Sequence, residues 1–218
     1  MSRGVNNIDL QLNARKSNAI RIGSRYKNKC CDLCVGDDII PWVNEAKYLG
    51  LCITSSSRFK CNFDSTKIKY YRAANAILAK IRNKNNNMIT LHLIKSIALP
   101  CLTYALESVS LNSTELEVLN HSWCRTFEKL FNTFDKNIIK NCQLFSGTLP
   151  LSYYYYLKSL SFLCKLQSWP CLLLRVIFSD SGHLDMNKIF HSIGCNSTNL
   201  NDSYRDLVFN HFKNSVMM

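Results

Sequence analysis

The first part of the chain carries short runs of apolar positions separated by turn-forming residues, which is the pattern of β-strands. Two such runs, residues 33–35 and 39–43, flank a Gly-Asp-Asp tripeptide, and a third run covers residues 46–54. Glycine and aspartate favour tight turns between strands. The pattern therefore predicts a hairpin around Gly36 and a separate strand at 46–54.

After residue 63 the apolar period changes to that of an amphipathic helix. Lys69, Arg72 and Lys80 lie off the apolar stripe of this helix, where water or a phosphate group can reach them. The stripe itself follows the spacing i, i+4, i+7, i+8 and i+11 and consists of Tyr70, Ala74, Ile77, Leu78 and Ile81.

Helical periodicity continues through most of the remaining chain. Pro100 interrupts one segment and should kink or end the helix there. Thr114, followed three residues later by Glu117, has the capping-box pattern that begins a helix. The expected helical segments are residues 88–108, 114–134, 150–167, 185–192 and 204–214. The predicted fold class is α+β, with short antiparallel strands first and a mostly α-helical bundle after them.

Positive charge is concentrated in the first two fifths of the chain. The 218-residue sequence has a net charge of +12, and residues 1–84 contain 16 Lys and Arg against 6 Asp and Glu. Clustered positive charge favours polyanions such as nucleic acids. A solvated basic surface that only aids solubility fits the charge equally well. With 47% apolar residues, the chain can bury a core of its own.

Neither a membrane span nor a secretion signal is expected from the sequence. The longest uncharged run, residues 141–157, includes polar residues and is shorter than the roughly 20 mainly apolar residues that a span needs. No apolar segment of the signal-peptide kind follows the first methionine. We therefore expect an intracellular protein whose 11 cysteines are reduced.

Two groups of residues near the predicted hairpin have the composition of metal sites. Asp37 and Asp38 are adjacent, and polymerases hold two metal ions about 4 Å apart with carboxylates from separate strands. The pair lacks a third carboxylate, and Gly-Asp-Asp is also an ordinary turn sequence. Cys31 and Cys34, with Cys30 beside them, have the spacing of half a zinc site. A second half is missing, so thiols packed in a small sheet are the alternative.

Four stretches form an ordered series of short motifs along the first half of the chain. They are Leu12-Asn13-Ala14-Arg15-Lys16-Ser17, Lys47-Tyr48-Leu49-Gly50, residues 59–80, and Leu93-Ile94-Lys95-Ser96 followed by Pro100-Cys101-Leu102-Thr103-Tyr104-Ala105-Leu106-Glu107. The series resembles the reverse transcriptases of non-LTR retrotransposons, the jockey-like and related elements. In that family the motifs Leu-Asn-x-x-Lys-Ser/Thr and Tyr-Leu-Gly correspond to the first two stretches. The first helix of the thumb corresponds to the third, and Leu-Ile-Lys followed by Pro-x-Leu-x-Tyr-Gly-x-Glu corresponds to the fourth. Ala105 departs from the family pattern at its glycine.

The resemblance implies nucleic-acid contacts for residues of the first two motifs. Lys16 resembles the family lysine near the phosphates of the incoming nucleotide, and Arg21 follows the same motif. Tyr48, Leu49 and Gly50 resemble the primer grip, where a glycine lets the backbone approach a sugar–phosphate chain closely. The alternatives are an exposed lysine just after a helix end, and a half-buried strand with a bulge at Gly50.

The third stretch, residues 59–80, resembles the first helix of the thumb. Lys69, Arg72 and Lys80 would then follow the backbone of an RNA–DNA primer–template as point charges. The alternative is that these side chains form only the solvated face of an amphipathic helix.

The catalytic aspartates of the family are expected to be missing. In the family an aromatic-x-Asp-Asp hairpin precedes the first motif by a few tens of residues, whereas Asp37 and Asp38 follow that motif here. The chain resembles a C-terminal portion, with a palm remnant at 1–58, a thumb-like helical domain at 59–134 and a helical segment at 135–218. We expect no catalytic residue, metal ligand or cofactor in this portion, and magnesium only in the complete enzyme.

The expected function is that of a reverse transcriptase fragment that cannot synthesise DNA alone but keeps a basic nucleic-acid-binding surface. A captured helical module that binds a protein partner is the first alternative. A decayed copy without selected function is the second. No membrane association is expected.

Overall fold

The computed structural model describes residues 13–81, 86–172, 176, 183–192 and 204–217. The chain divides into two compact units, the strand unit Met1–Ser65 and the helical unit Thr66–Met218. Short antiparallel strands come first and helices follow, which confirms the α+β fold class.

A two-residue turn closes the first hairpin of the strand unit. β1 (Leu33–Val35) pairs antiparallel with β2 (Asp38–Ile40). Gly36 occupies the first turn position with a φ of 62°, a left-handed conformation that glycine adopts without steric cost. The hairpin expected around Gly36 is confirmed, and Asp37 is the second residue of its turn.

The second sheet differs from the sequence prediction of a single third strand. β3 (Glu45–Tyr48) pairs with β4 (Leu51–Thr54), which pairs with β5 (Lys60–Asn62), all antiparallel. Leu49 and Gly50 separate the first two strands and have φ values of 46° and 85°. Two consecutive positive φ values are those of a type I′ turn, whose twist suits a hairpin. The pattern missed this turn because leucine rarely adopts a left-handed conformation.

The described part of the strand unit buries few apolar side chains. Isolated parallel bridges connect Ala19 with Trp42 and Ile22 with Ser56. The Val43 N–H donates to the Ala19 carbonyl at 2.8 Å, so the segment before β1 is fixed mainly through its backbone. The buried apolar residues of this part are Ala14, Cys61 and Phe63.

The helical unit begins within the first long helix, α1 (Asp64–Ile81). The expected apolar stripe of α1 faces the interior: Tyr70 and Ala74 are buried, and the other three members are half-buried. The helices that follow are α2 (Asn87–Leu93), α3 (Leu99–Leu102), α4 (Ser113–Phe131), α5 (Lys136–Phe145), α6 (Leu151–Ser168), α7 (His183–Ser192) and α8 (Tyr204–Met217).

A wide helical turn accommodates Pro100. Between α2 and α3, Ile94–Ala98 forms a π-helical turn, and the Leu99 N–H donates to the Ile94 carbonyl, five residues back. Proline has no N–H, and its ring clashes with the carbonyl four residues before it in a regular α-helix. A wider turn relieves that conflict, so the helix is irregular at Pro100 but continues to Leu102.

Asn112, rather than Thr114, caps the N-terminus of α4. The Glu115 N–H donates to the Asn112 side-chain oxygen at 2.7 Å, and the Asn112 N–H donates to the Glu115 carboxylate at 3.2 Å. The expected capping box is therefore present but lies two residues earlier in the sequence. Asparagine is a somewhat better capping residue than threonine, which favours the observed start.

Aromatic side chains of α4 form the centre of the helical unit. Trp123 and Phe127 are fully buried with ring centroids 5.1 Å apart, and the Tyr70 ring of α1 lies 6.4 Å from Trp123. The Trp123 indole N–H donates to the Leu149 carbonyl at 2.9 Å. Helices on both sides of residue 134 thus share this core.

Among the described residues, one helical run, Asn87–Ser108, is long and apolar enough to cross a membrane by length and composition. It is not an uncharged run, because it contains Lys95 and Glu107. In the structure, 44% of its most apolar window is buried inside the protein. The buried side chains include Leu91 and Leu102, so the apolar composition of this run also serves the core of the helical unit.

Candidate nucleic-acid interface

The tip of the β3–β4 hairpin presents its side chains to solvent. Tyr48 is 63% exposed and Leu49 is 74% exposed, and Gly50 completes the turn between them and β4. The alternative of one half-buried strand with a bulge at Gly50 is therefore wrong. An exposed aromatic ring beside an aliphatic side chain is a surface on which a base or a sugar can pack.

Lys16 is exposed at the end of a short 3₁₀ helix, Ala14–Lys16. Its N–H donates to the Asn13 carbonyl at 3.1 Å, and the Ser17 hydroxyl donates to the same carbonyl at 2.8 Å. These hydrogen bonds fix the backbone, while the Lys16 side chain extends toward solvent. The placement fits a phosphate contact and an exposed lysine at a helix end equally well.

Arg21 has partners within the strand unit. Its guanidinium donates to the Asn28 carbonyl and lies 5.4 Å from the centre of the Trp42 ring. The Trp42 indole N–H in turn donates to the Cys31 carbonyl at 3.1 Å. Arg21 and Trp42 together hold the loop before β1, so the structure gives Arg21 an architectural role that the sequence did not indicate.

Lys69, Arg72 and Lys80 form one exposed face of α1, here called the basic face. At 3.6 residues per turn, the three positions fall within an arc of about 80°. They extend over about 16 Å along the helix axis, given a rise of about 1.5 Å per residue. The separation of these side chains from the apolar stripe is as the sequence predicted, and their spacing suits contacts with successive phosphates of one strand.

The opposite side of α1 is anchored in the core. The hydroxyl groups of Tyr70 and Thr126 form a buried hydrogen bond between α1 and α4. Burial raises the pKa of the Tyr70 hydroxyl above its usual value. The phenol therefore stays neutral, and the anchor fixes the rotation of α1 so that the basic face points away from the core.

The two groups that resembled metal sites do not assemble into one in the described part of the chain. Asp37 and Asp38 are exposed beside the turn, and Cys30, Cys31 and Cys34 are exposed rather than packed in a sheet. Among the described residues, no three His, Cys, Asp or Glu side chains lie close enough together to hold a metal ion. The alternative that these three cysteines are packed inside a small sheet is therefore wrong.

The sequence did not indicate a pocket between α1, α2 and α4. Its volume is about 530 Å³, and it is bordered by Asn75, Asn86 and Lys129 among others. The Lys129 ammonium donates to the Asn75 side-chain oxygen at 2.9 Å, across 54 residues of sequence. Such a pair depends on tertiary packing, so no local pattern in the sequence indicated it.

Comparisons with protein-family models, with curated proteins and with solved structures found no match for this chain. The exposed hairpin tip of the strand unit and the basic face of α1 are the surfaces that bear on function.

Proposed function

We propose that this chain is a C-terminal portion of a retrotransposon RNA-directed DNA polymerase, containing the end of the palm and the thumb. It binds an RNA–DNA primer–template through basic side chains and does not synthesise DNA by itself. The observation that carries the proposal is the basic face of α1, where Lys69, Arg72 and Lys80 are exposed along one strip. Point charges at this spacing neutralise phosphates without reading sequence.

Backbone conformation at two motif positions supports the resemblance. The Tyr-Leu-Gly motif lies in a tight hairpin, with Leu49 and Gly50 as the turn, and the family motif also belongs to a hairpin. Ala105, which stands where the family has glycine, has a φ of 53°. Glycine is the residue that adopts this left-handed conformation without strain. The backbone at this position therefore favours glycine, which is the residue that the family motif has there.

The first test is primer extension by the purified protein with magnesium or manganese. The family's aromatic-x-Asp-Asp hairpin has no counterpart before the first motif in this sequence, so we expect no template-dependent product. Binding to an RNA–DNA hybrid of the same sequence should nevertheless be measurable at low salt. Template-dependent synthesis would refute the claim that the chain cannot synthesise DNA by itself. Absent or salt-insensitive binding to the hybrid would refute the claim that it binds the primer–template through basic side chains.

A second candidate function, protein interaction through the helical unit, has one observation in its favour. Phe134, just before α5, and Phe145, at the end of α5, are 79% and 83% exposed, and Ile138 within the helix is 47% exposed. Large apolar side chains exposed in one region of the surface are frequent at interfaces. The partner that can be tested most directly is a second copy of this chain. If the chain self-associates through these side chains, Phe145→Ser should self-associate less than the wild type in a sedimentation experiment. A monomeric wild type would remove this candidate.

A further inference from the structure

The pocket between α1, α2 and α4 is rich in hydrogen-bond donors. The Asn75 side-chain oxygen accepts from the Lys129 ammonium at 2.9 Å, and the Asn86 side-chain oxygen accepts from the Ile89 N–H at 3.0 Å. Both partners can only donate, so each amide must turn its oxygen toward its partner. The amide NH₂ groups of Asn75 and Asn86 and the ammonium of Lys129 are therefore donors that this pocket offers to a ligand.

Apolar side chains form another part of the pocket wall. Leu78 and Ile81 of α1 and Leu130 of α4 line it, and the volume is about 530 Å³. Small-ligand sites usually combine such a wall with a few placed polar groups in volumes of about 300–1,000 Å³. A planar ring that carries acceptor oxygens fits both the apolar wall and the donor groups of the pocket. The faces of the ring can pack on the apolar side chains, and its oxygens can accept from the donors.

The basic face of α1 adjoins this pocket. Arg72 precedes Asn75 by three residues and Ala79, which also lines the pocket, by seven. Residues three or seven apart on a helix are neighbours on its surface. A strand whose phosphates follow the basic face and contact Arg72 therefore passes beside the pocket, where one unpaired base can turn in.

We propose that this pocket binds an unpaired uracil or thymine base of a nucleic-acid strand whose phosphates lie along the basic face. The two carbonyl oxygens of these bases, on either side of the N3–H group, can accept from the donors of the pocket, whereas adenine presents an amino donor and accepts only at ring nitrogens. The inference rests on the proposed nucleic-acid-binding function and adds the class of base that is recognised.

The first experiment measures binding of the full chain to uridylate and adenylate RNA of equal length, by fluorescence anisotropy at one salt concentration. The wild type should prefer uridylate by about threefold to tenfold, the size expected for one net hydrogen bond or slightly more. Asn86→Ser keeps an N-cap oxygen for α2 and removes the NH₂ donor. It should lower the preference about threefold while leaving adenylate affinity unchanged.

A second variant covers the case in which Asn86→Ser disturbs the start of α2. Asn75→Asp keeps the oxygen that accepts from Lys129 and replaces the NH₂ donor by a carboxylate oxygen. It should weaken uridylate binding about tenfold more than adenylate binding, because the substitution removes a donor and places a carboxylate oxygen against the base carbonyl. Asn141→Asp, exposed on α5, is the matched control for the added charge and should not change the ratio.

The outcomes separate this inference from the function on which it rests. Salt-sensitive binding with equal affinity for both RNAs would refute base binding in the pocket and leave the proposed nucleic-acid-binding function unaffected. A preference that survives in both pocket variants would overturn the pocket as well, because it would then come from chain flexibility. Absence of all nucleic-acid binding would overturn both.

Discussion

At the scale of single residues, Ala105 combines an ordinary side chain with an unusual backbone. It lies between α3 and the 3₁₀ turn Leu106–Ser108 with a φ of 53°. Left-handed conformations cost an L-residue about 1–2 kcal/mol relative to the right-handed region, and glycine avoids that cost. The position is therefore strained in this chain, and the strain is removable by one substitution.

Ala105→Gly should raise the free energy of unfolding by about 0.5–1 kcal/mol, since relief of strain outweighs the greater entropy of glycine in the unfolded chain. The midpoint of urea denaturation measures it. The matched control is Ala76→Gly, exposed inside α1, which should lower stability by about 1 kcal/mol. Equal destabilisation by both substitutions would show that the backbone at Ala105 is not left-handed.

At the scale of elements, periodicity predicted the first hairpin, most of the helices and the exposure of the basic face, but it did not indicate β5 or α5. Local patterns failed where a residue adopts an unusual backbone conformation or where distant residues meet. Leu49 in a left-handed turn broke the single strand expected across the second motif. The contact between Asn75 and Lys129 joins helices that are far apart in sequence, so no local pattern could show the pocket.

The β3–β4 hairpin yields a prediction that separates stability from binding. Leu49→Asn places Asn-Gly, the preferred type I′ sequence, at the turn and should stabilise the hairpin by about 0.5–1 kcal/mol. It also removes the exposed aliphatic side chain from the tip, so hybrid binding should weaken. Chemical denaturation of this variant measures its stability, and fluorescence anisotropy measures its affinity for the hybrid. Stronger binding together with higher stability would show that the Leu49 side chain makes no contact with nucleic acid.

At the scale of the whole molecule, buried tyrosines couple the fold to alkaline pH. Burial raises the pKa values of Tyr70, Tyr153 and Tyr154 above the usual value of a phenol. In the unfolded chain these groups lose their protons near pH 10, so the unfolded state binds fewer protons than the folded state above that pH. Their contribution is fully present below about pH 10 and declines as pH rises further.

We therefore expect the free energy of unfolding to fall as pH rises from about 10 to about 12. Tyr70→Phe should make this decline shallower, because it removes one of the shifted groups. Phe59→Leu, at an exposed aromatic side chain that does not titrate, should leave the slope unchanged. Urea denaturation at a series of pH values measures the slope for all three proteins. A wild-type stability that does not fall in this range would contradict burial of these phenols.

The central claim, that α1 binds nucleic acid through its basic face, is tested by the salt dependence of hybrid binding. Each phosphate contact contributes about 0.9 to the slope of log affinity against log salt concentration for a duplex. Replacing Lys69, Arg72 and Lys80 together by glutamine should therefore lower that slope by about 2–3. The matched control removes three exposed lysines from other helices, Lys136, Lys140 and Lys165, and should leave the slope near that of the wild type. Equal losses in the two triple variants, or an unchanged slope in the first, would contradict the account.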